Sequence, residues 1–166
     1  KDLETRNLIV PVVGDFGAVW EWSSTTASFV ERSKGFYGDV ADIAATPTDV
    51  FVSVNECVDS ACSQRRGRVM HQGTSGWEEL GAPQPFSLEV AAIVARNPQE
   101  VVVSTTNALY RWDGTQWLNV PAGLAGPIRD LKWCGNLLVG AGDNGSAYTG
   151  TANQLAPRHH QAVGVA

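Results

Sequence analysis

The chain has 166 residues, 43% of them hydrophobic and 17% charged, with 17 Gly and 8 Pro. That length can bury one sizeable core, and low charge with many turn formers suits a strand-rich domain. A formal net charge of -5 argues against nucleic acid or an anionic membrane as partner, and no apolar run is long enough for membrane insertion.

Taken in chain order, the sequence reads as four copies of one unit. The first copy, roughly 1–35, opens with "KDLETRNLIV" and continues into "GAVWEWSSTTASFVE". The second, 38–83, holds "DVADIAATPTDVFVSV", then the insertion "NECVDSACSQRR", then "GRVMHQGTSGWEEL". The third, 87–123, repeats this plan as "EVAAIVARNPQEVVVST" and "NALYRWDGTQWLNV". The fourth, 126–157, is the shorter "RDLKWCGNLLVGAGDNG" followed by "SAYTGTANQLAP", and 158–166 is a tail. Self-alignment sets Met70, Trp20 and Tyr148 on Tyr110, Trp22 on Trp112, and Trp77 and Leu155 on Trp117. Asp2 and Asn7 fall on Asp130 and Asn136.

Within the third copy, Asp113-Gly114 between alternating apolar residues is hairpin chemistry. Each copy thus supplies four short strands, and a fixed four-strand period marks blades arranged about an axis. The first strands carry small residues (Ala41, Ala44, Ala45, Ala91, Ala92, Ala95), as crowding near an axis demands. The second strands, "VFVSV", "VVVST" and "LLVGA", are near-continuous apolar runs suited to burial on both faces. The fourth strands mix apolar and polar residues. A helix over "SLEVAAIVARNPQE" is set aside, because its counterpart holds Pro47 among β-branched neighbours. The expected fold class is all-β, a β-propeller of four four-stranded blades. These could close alone or form part of a ring of about six to eight. The chain starts at Lys1 without a leader, and Lys1 to Leu3 falls inside an innermost strand. Part of a larger ring is therefore the expectation, completed by other blades or chains of the same precursor or by self-association.

"ALYRWDGTQWLNVPAG" and "VADIAATPTDVFVSV" resemble the Trp-Asp-Gly-x-x-Trp repeats of secreted bacterial β-propellers. The resemblance implies a Pro-x-Asp-Val turn between the first two strands and a Trp-Asp-Gly-Thr-x-Trp hairpin between the last two. The hairpin is also distantly similar to the Asp-box of sialidase-like propellers, through Asp113, Gly114 and Trp117. No Ser stands at the Asp-box spacing.

Candidate site residues follow. Asp113, Gly114, Trp112 and Trp117 read as a folding device; the functional alternative is an aromatic platform for sugar, drawing on Trp20, Trp22, Trp77 and Trp112. Asp42, Arg129 and Asp130 stand near the starts of innermost strands, where they are either a small binding spot or polar strand ends meeting channel water. Cys57 and Cys62, five apart in a polar loop, are expected to form a disulfide, which implies an oxidising compartment. Free thiols are the alternative, and zinc lacks a second ligand pair. Cys134 is expected as a buried small hydrophobe, and Arg65, Arg66 and Arg68 as a solvated loop. No catalytic constellation, phosphate loop or calcium loop is visible, so no cofactor or metal is assigned. The expected function is a non-enzymatic interaction or scaffold module, secreted, periplasmic or on a cell surface. The alternative is a carbohydrate-binding or glycan-processing propeller, with a glycan as ligand.

Overall fold

The structure is a computed structural model that describes residues 11–14, 18–23, 25–32, 38–73, 76–82 and 84–158. The expected first strand of the first copy, near Lys1 to Leu3, and the tail beyond 158 lie outside the described residues. Within them, fifteen strands form four antiparallel sheets. The first sheet holds three described strands, β1 (Pro11–Gly14), β2 (Ala18–Ser23) and β3 (Ser28–Glu31). The second holds β4 (Asp39–Ala45), β5 (Val50–Cys57), β6 (Arg65–Gly73) and β7 (Gly76–Glu79). The third holds β8 (Val90–Asn97), β9 (Glu100–Thr105), β10 (Leu109–Trp112) and β11 (Trp117–Val120). The fourth holds β12 (Ile128–Cys134), β13 (Leu137–Gly142), β14 (Ala147–Thr151) and β15 (Gln154–Arg158). A 3-10 turn, Asp143–Gly145, interrupts this all-β pattern among the described residues. Among the described residues no helix is long and apolar enough to cross a membrane.

Strand order within each sheet follows chain order, so every connection is a hairpin turn and the sheets succeed one another along the chain. The leading strands line up side by side, with β4 against β8 and β8 against β12. Each has a register shift near its start, at Val40/Asp42, Val90/Ala92 and Ile128/Asp130. The extra residue bends the strand and increases its twist where the sheets crowd together.

Three cores fill the spaces between consecutive sheets. Val19 meets Val52 and Val54 between the first and second. Phe51 and Val69 meet Val101, Val103 and Trp112 between the second and third. Val102 and Leu109 meet Leu138, Tyr148 and Leu155 between the third and fourth. The whole of β5 as far as Glu56 is buried, because both faces have a neighbouring sheet. Side-chain bonds stitch the same joints. The Asn55 amide accepts from Val90 N at 2.9 Å and donates to Val90 O at 3.0 Å. At the next joint Ser104 Oγ accepts from Ile128 N at 3.2 Å.

Two expectations are corrected here. Cys134 is exposed. It ends β12 at the hairpin tip, where Leu137 across the turn is 53% exposed as well. An apolar run that ends in a turn passes out of the core, whatever its composition. Arg65, Arg66 and Arg68 are not in a solvated loop: they begin β6 and pair with β5. The loop between those strands is shorter than the string suggests, and the Cys57–Cys62 disulfide closes it with Cα atoms 4.8 Å apart.

Candidate functional site

Burial and charge place the sequence-derived candidates in separate regions. Asp42, just after the bulge in β4, points across the joint to the third sheet. Its carboxylate accepts from Ile93 N at 2.9 Å and from Ile43 N at 2.8 Å. Burial pushes the Asp42 carboxyl above its ordinary value, against the pull of these two backbone bonds, and the Asp130 charge adds to the rise. Asp130 lies 3.7 Å from Lys132 Nζ on the exposed side of β12. Arg129 turns away from both and grips Asp143 with two bonds of 2.9 Å. The structure thus brings Asp42 within electrostatic reach of Asp130 and Lys132, and it separates Arg129 from them.

The tryptophans divide likewise. Trp112 is 8% exposed and stacks over Gly81, where its ring fills the space that any side chain would need. Trp117 packs edge-on against Phe86, centroids 4.9 Å apart, and donates from Nε1 to Leu80 O at 2.9 Å. Trp77 makes the same bond one joint earlier, to Arg32 O at 2.9 Å. Trp20 and Trp22, by contrast, are 38% and 40% exposed. Asp113 accepts from Thr115 N and Gln116 N, both at 2.9 Å. Its bond from the Thr115 hydroxyl and those backbone bonds hold its carboxyl below the ordinary value. Gly114 takes φ 96°, the conformation this turn requires.

Two clefts were not found from the sequence. On the edge of the sheets that carries the β4–β5 and β6–β7 turns, Glu21, Thr48, Asp49, Val50, His71 and Gln72 line a depression of about 450 Å³. His71 Nε2 lies 2.7 Å from Asp49 Oδ1, and Nδ1 lies 3.4 Å from Glu78 Oε1. The ring stacks on Phe51, with centroids 4.8 Å apart. Burial works to raise the Asp49 carboxyl, but bonds from Thr48 and His71 outweigh it, so the group sits below its ordinary value. Both ring nitrogens of His71 thus face carboxylates, from Asp49 on one side and Glu78 on the other. The self-alignment holds the signal that could have revealed this pair. Asp49 matches Glu100 and His71 matches Arg111, and Arg111 Nε lies 4.0 Å from Glu100 Oε1.

The opposite edge carries the feature unique to the second copy. The disulfide loop and the segment leading into β8 enclose a cleft of about 470 Å³, lined by Ser63, Gln64, Arg65, Ser87, Leu88 and Thr106 among others. A charged frame holds it. Arg65 pairs with Asp39, and with Glu89 at 3.0 Å, and the Asp39 bond raises its guanidinium further above the ordinary value. Beside it, Glu56 is held by Arg66 at 2.6 Å and Arg68 at 3.2 Å, and Arg68 reaches on to Glu79 at 2.6 Å. Asp59 fastens the loop through Ser63 N at 2.9 Å. The cleft lining offers hydroxyls and an amide, and Leu88 is 37% exposed. Among the described residues no group of three or more His, Cys, Asp or Glu is placed to hold a metal ion.

No protein-family model matches this sequence, and no curated protein matches it. Solved structures do. YCF48 bound to D1 peptide is similar over 90% of this chain and 49% of that one, with a TM-score of 0.64 and 14% identity. YCF48 from Cyanidioschyzon merolae is similar over 96% of this chain and 56% of that one, with a TM-score of 0.62 and 12% identity. The computationally designed Ika4 protein matches over 86% of this chain and 84% of its own, with a TM-score of 0.63 and 18% identity. The chain spans about half the length of the two YCF48 proteins. At these identities the likeness shows the fold, and that fold is a β-propeller.

Proposed function

We propose that this chain is a non-enzymatic interaction module, a propeller segment that docks an extended polypeptide in the cleft beside the Cys57–Cys62 loop. One observation carries the reading. The cleft is built by the loop that the other copies lack, and it is framed by ion pairs and lined by groups that can bond a peptide backbone. Residues shared by the copies are accounted for by sheet packing; this loop is not. Ser63, Ser87, Gln64 and Thr106 can give or accept hydrogen bonds along a main chain, while Leu88 offers apolar contact to a side chain. A solved neighbour with the same fold holds a peptide, which supports the general mode and not the particular partner. The disulfide supports a secreted, periplasmic or cell-surface setting. Further propeller blades, chains of the same precursor or a second copy are partners of the same kind.

A second reading, glycan binding, draws on the exposure of Trp20 and Trp22. One experiment separates the two. The chain is probed on an array of unstructured peptides and on a glycan array, beside a Ser87→Arg variant that fills the cleft. We expect peptide spots that vanish with Ser87→Arg and no glycan spots. Glycan signal alone, or peptide signal indifferent to Ser87→Arg, would overturn the proposal.

A further inference from the structure

One wall of the cleft in the second copy hangs on a covalent bond that lies outside the core. Cys62, Ser63 and Gln64 form that wall, and Ser87, Leu88 and Thr106 stand across from it. Residues 57–64 are exposed without exception, so the packing of the sheet does not depend on where the loop sits. The strands on either side are held by other means. β5 pairs with β6 from Phe51↔His71 to Cys57↔Arg65, and Arg66 and Arg68 of β6 both hold Glu56 of β5. A disulfide stabilises a fold mainly by restricting the unfolded chain, and the gain shrinks with the loop it closes. With a sequence separation of 5 between Cys57 and Cys62, that gain is at the low end.

What the bond fixes is the backbone of the loop. Cys62 takes φ 53°, in the left-handed region, where a side chain is tolerated only when its surroundings hold it. Asp59 O accepts from Cys62 N at 3.1 Å, Asp59 Oδ1 from Ser63 N at 2.9 Å, and Gln64 O from Val58 N at 2.9 Å. These bonds join exposed residues, where water competes for both partners. The disulfide adds the constraint that water cannot replace, with the Cα atoms of Cys57 and Cys62 held 4.8 Å apart. Without it, Cys62 is free to leave the left-handed region. The chain then changes direction at the residue that leads directly into Ser63 and Gln64, and the cleft wall moves with it.

Building on the reading of this cleft as a peptide site, we propose that the Cys57–Cys62 bond is a redox switch on docking. Oxidised, the loop presents Ser63 and Gln64 in a fixed wall, so a peptide binds without first having to order it. Reduced, the wall gives way and docking weakens, while the sheets stay folded. The reductant is a dithiol. One of its sulfurs, as thiolate, attacks Sγ of Cys57 or Cys62. A mixed disulfide forms as the Cys57–Cys62 bond breaks, and the released cysteine sulfur takes up a proton. The second sulfur of the dithiol then attacks the first, closes the dithiol's own disulfide and releases the other cysteine as a thiol. Two electrons and two protons pass to the chain, and the dithiol is oxidised. Both cysteines are exposed, so the attacking thiolate needs no opening of the core, and a disulfide oxidant reverses the exchange by the same path.

The test uses the 166-residue chain carrying Cys134→Ser, which removes the exposed free thiol that would also respond to a reductant. Dithiothreitol is added at neutral pH. Circular dichroism, amide hydrogen exchange and binding to an array of cysteine-free unstructured peptides are read before and after. Iodoacetamide should then label Cys57 and Cys62 in a chain whose circular dichroism is unchanged. The amides of Val58, Cys62 and Ser63 should exchange roughly tenfold faster, and those of β5 at the rate of the oxidised chain. Peptide spots should weaken about tenfold. A Cys57→Ser, Cys62→Ser double variant should bind as weakly as the reduced chain, with or without dithiothreitol. A bond that resists dithiothreitol until the chain unfolds would overturn the inference. So would loop amides that keep their protection after reduction, or peptide spots that keep their strength. Spots that ignore reduction but vanish with Ser87→Arg would end this inference and leave the proposed function standing. An array blank in both redox states would end both.

Discussion

The hairpins of the third and first sheets occupy one place in the repeat and meet different fates. In the third, Asp113 closes the turn with bonds to Thr115 and Gln116, and Trp117 lies in an aromatic nest with Phe86 and Trp112. In the first, Ser23 and Thr26 close a looser turn in which Ala27 takes φ 48°. Phe29 there meets Trp22 edge-on, at 5.2 Å, and stays half exposed. Both strands alternate correctly and both put an aromatic ring at the same register. A sheet lies in front of one and not of the other among the described residues. A repeat position is therefore core or surface according to its neighbour, and the residue type alone does not say which.

The widest separation is expected between Trp117→Ala and Phe29→Ala. Loss of the Trp117 ring and of its bond to Leu80 O should cost on the order of 3 kcal/mol in urea unfolding. Phe29→Ala, at a ring that is 47% exposed, should cost about 0.5 kcal/mol. Equal losses would break the comparison.

The joints between sheets sharpen it at smaller scale. Asn55 and Ser104 both satisfy a backbone N–H at the start of the next leading strand, but Asn55 also donates to the carbonyl of that residue. Asn55→Ala strands two buried groups and should cost about 2 kcal/mol; Ser104→Ala strands one and should cost about 1 kcal/mol. Thermal melts of the two variants should therefore rank in that order, and the reverse order would mean that the third–fourth joint is the stronger.

The smallest effect concerns Asp42, whose counterpart in the third sheet is the uncharged Ala92. Its carboxyl is raised above 3.8, chiefly by burial. For a carboxyl raised on folding, the stabilising contribution is complete below the unfolded value and fades as pH climbs through the folded one. Asp42→Asn removes the buried charge and keeps one oxygen as acceptor for Ile93 N, with its amide nitrogen then facing Ile43 N. The variant should melt slightly higher than wild type at neutral pH, and the gap should close below pH 3.8. A variant that melts lower at neutral pH would show that the charge-assisted bonds outweigh burial.

Much of the fold was legible because its signals are local. Asp113-Gly114 and the matched pairs Met70/Tyr110 and Trp77/Trp117 marked the hairpins, and the sequence separation of 5 between Cys57 and Cys62 marked the disulfide that the structure contains. The site was less legible. Arg65, Arg66 and Arg68 follow a loop of polar residues, and nothing nearby shows that Asp39, Glu56, Glu79 and Glu89 wait on four other segments. Cys134 follows Trp133 in an apolar run, and only the turn at Gly135 sends it outward. Asp42, Arg129 and Asp130 look like one cluster by strand position, yet the bulges aim Arg129 at Asp143 and Asp42 at the third sheet.

The sequence by itself determined the all-β class, the hairpins of the second to fourth sheets and the Cys57–Cys62 pairing. Those properties rest on interactions within a few residues: alternation along a strand, the φ that Gly114 permits, the short reach between two cysteines. Tertiary structure decided which faces are covered, which charges are paired and where the two clefts open. These depend on what lies across a joint, often dozens of residues away in the chain, as Trp77 Nε1 depends on Arg32 O and Asn55 on Val90. Periodicity specifies a direction for each side chain; the free energy of pointing there belongs to the partner it meets.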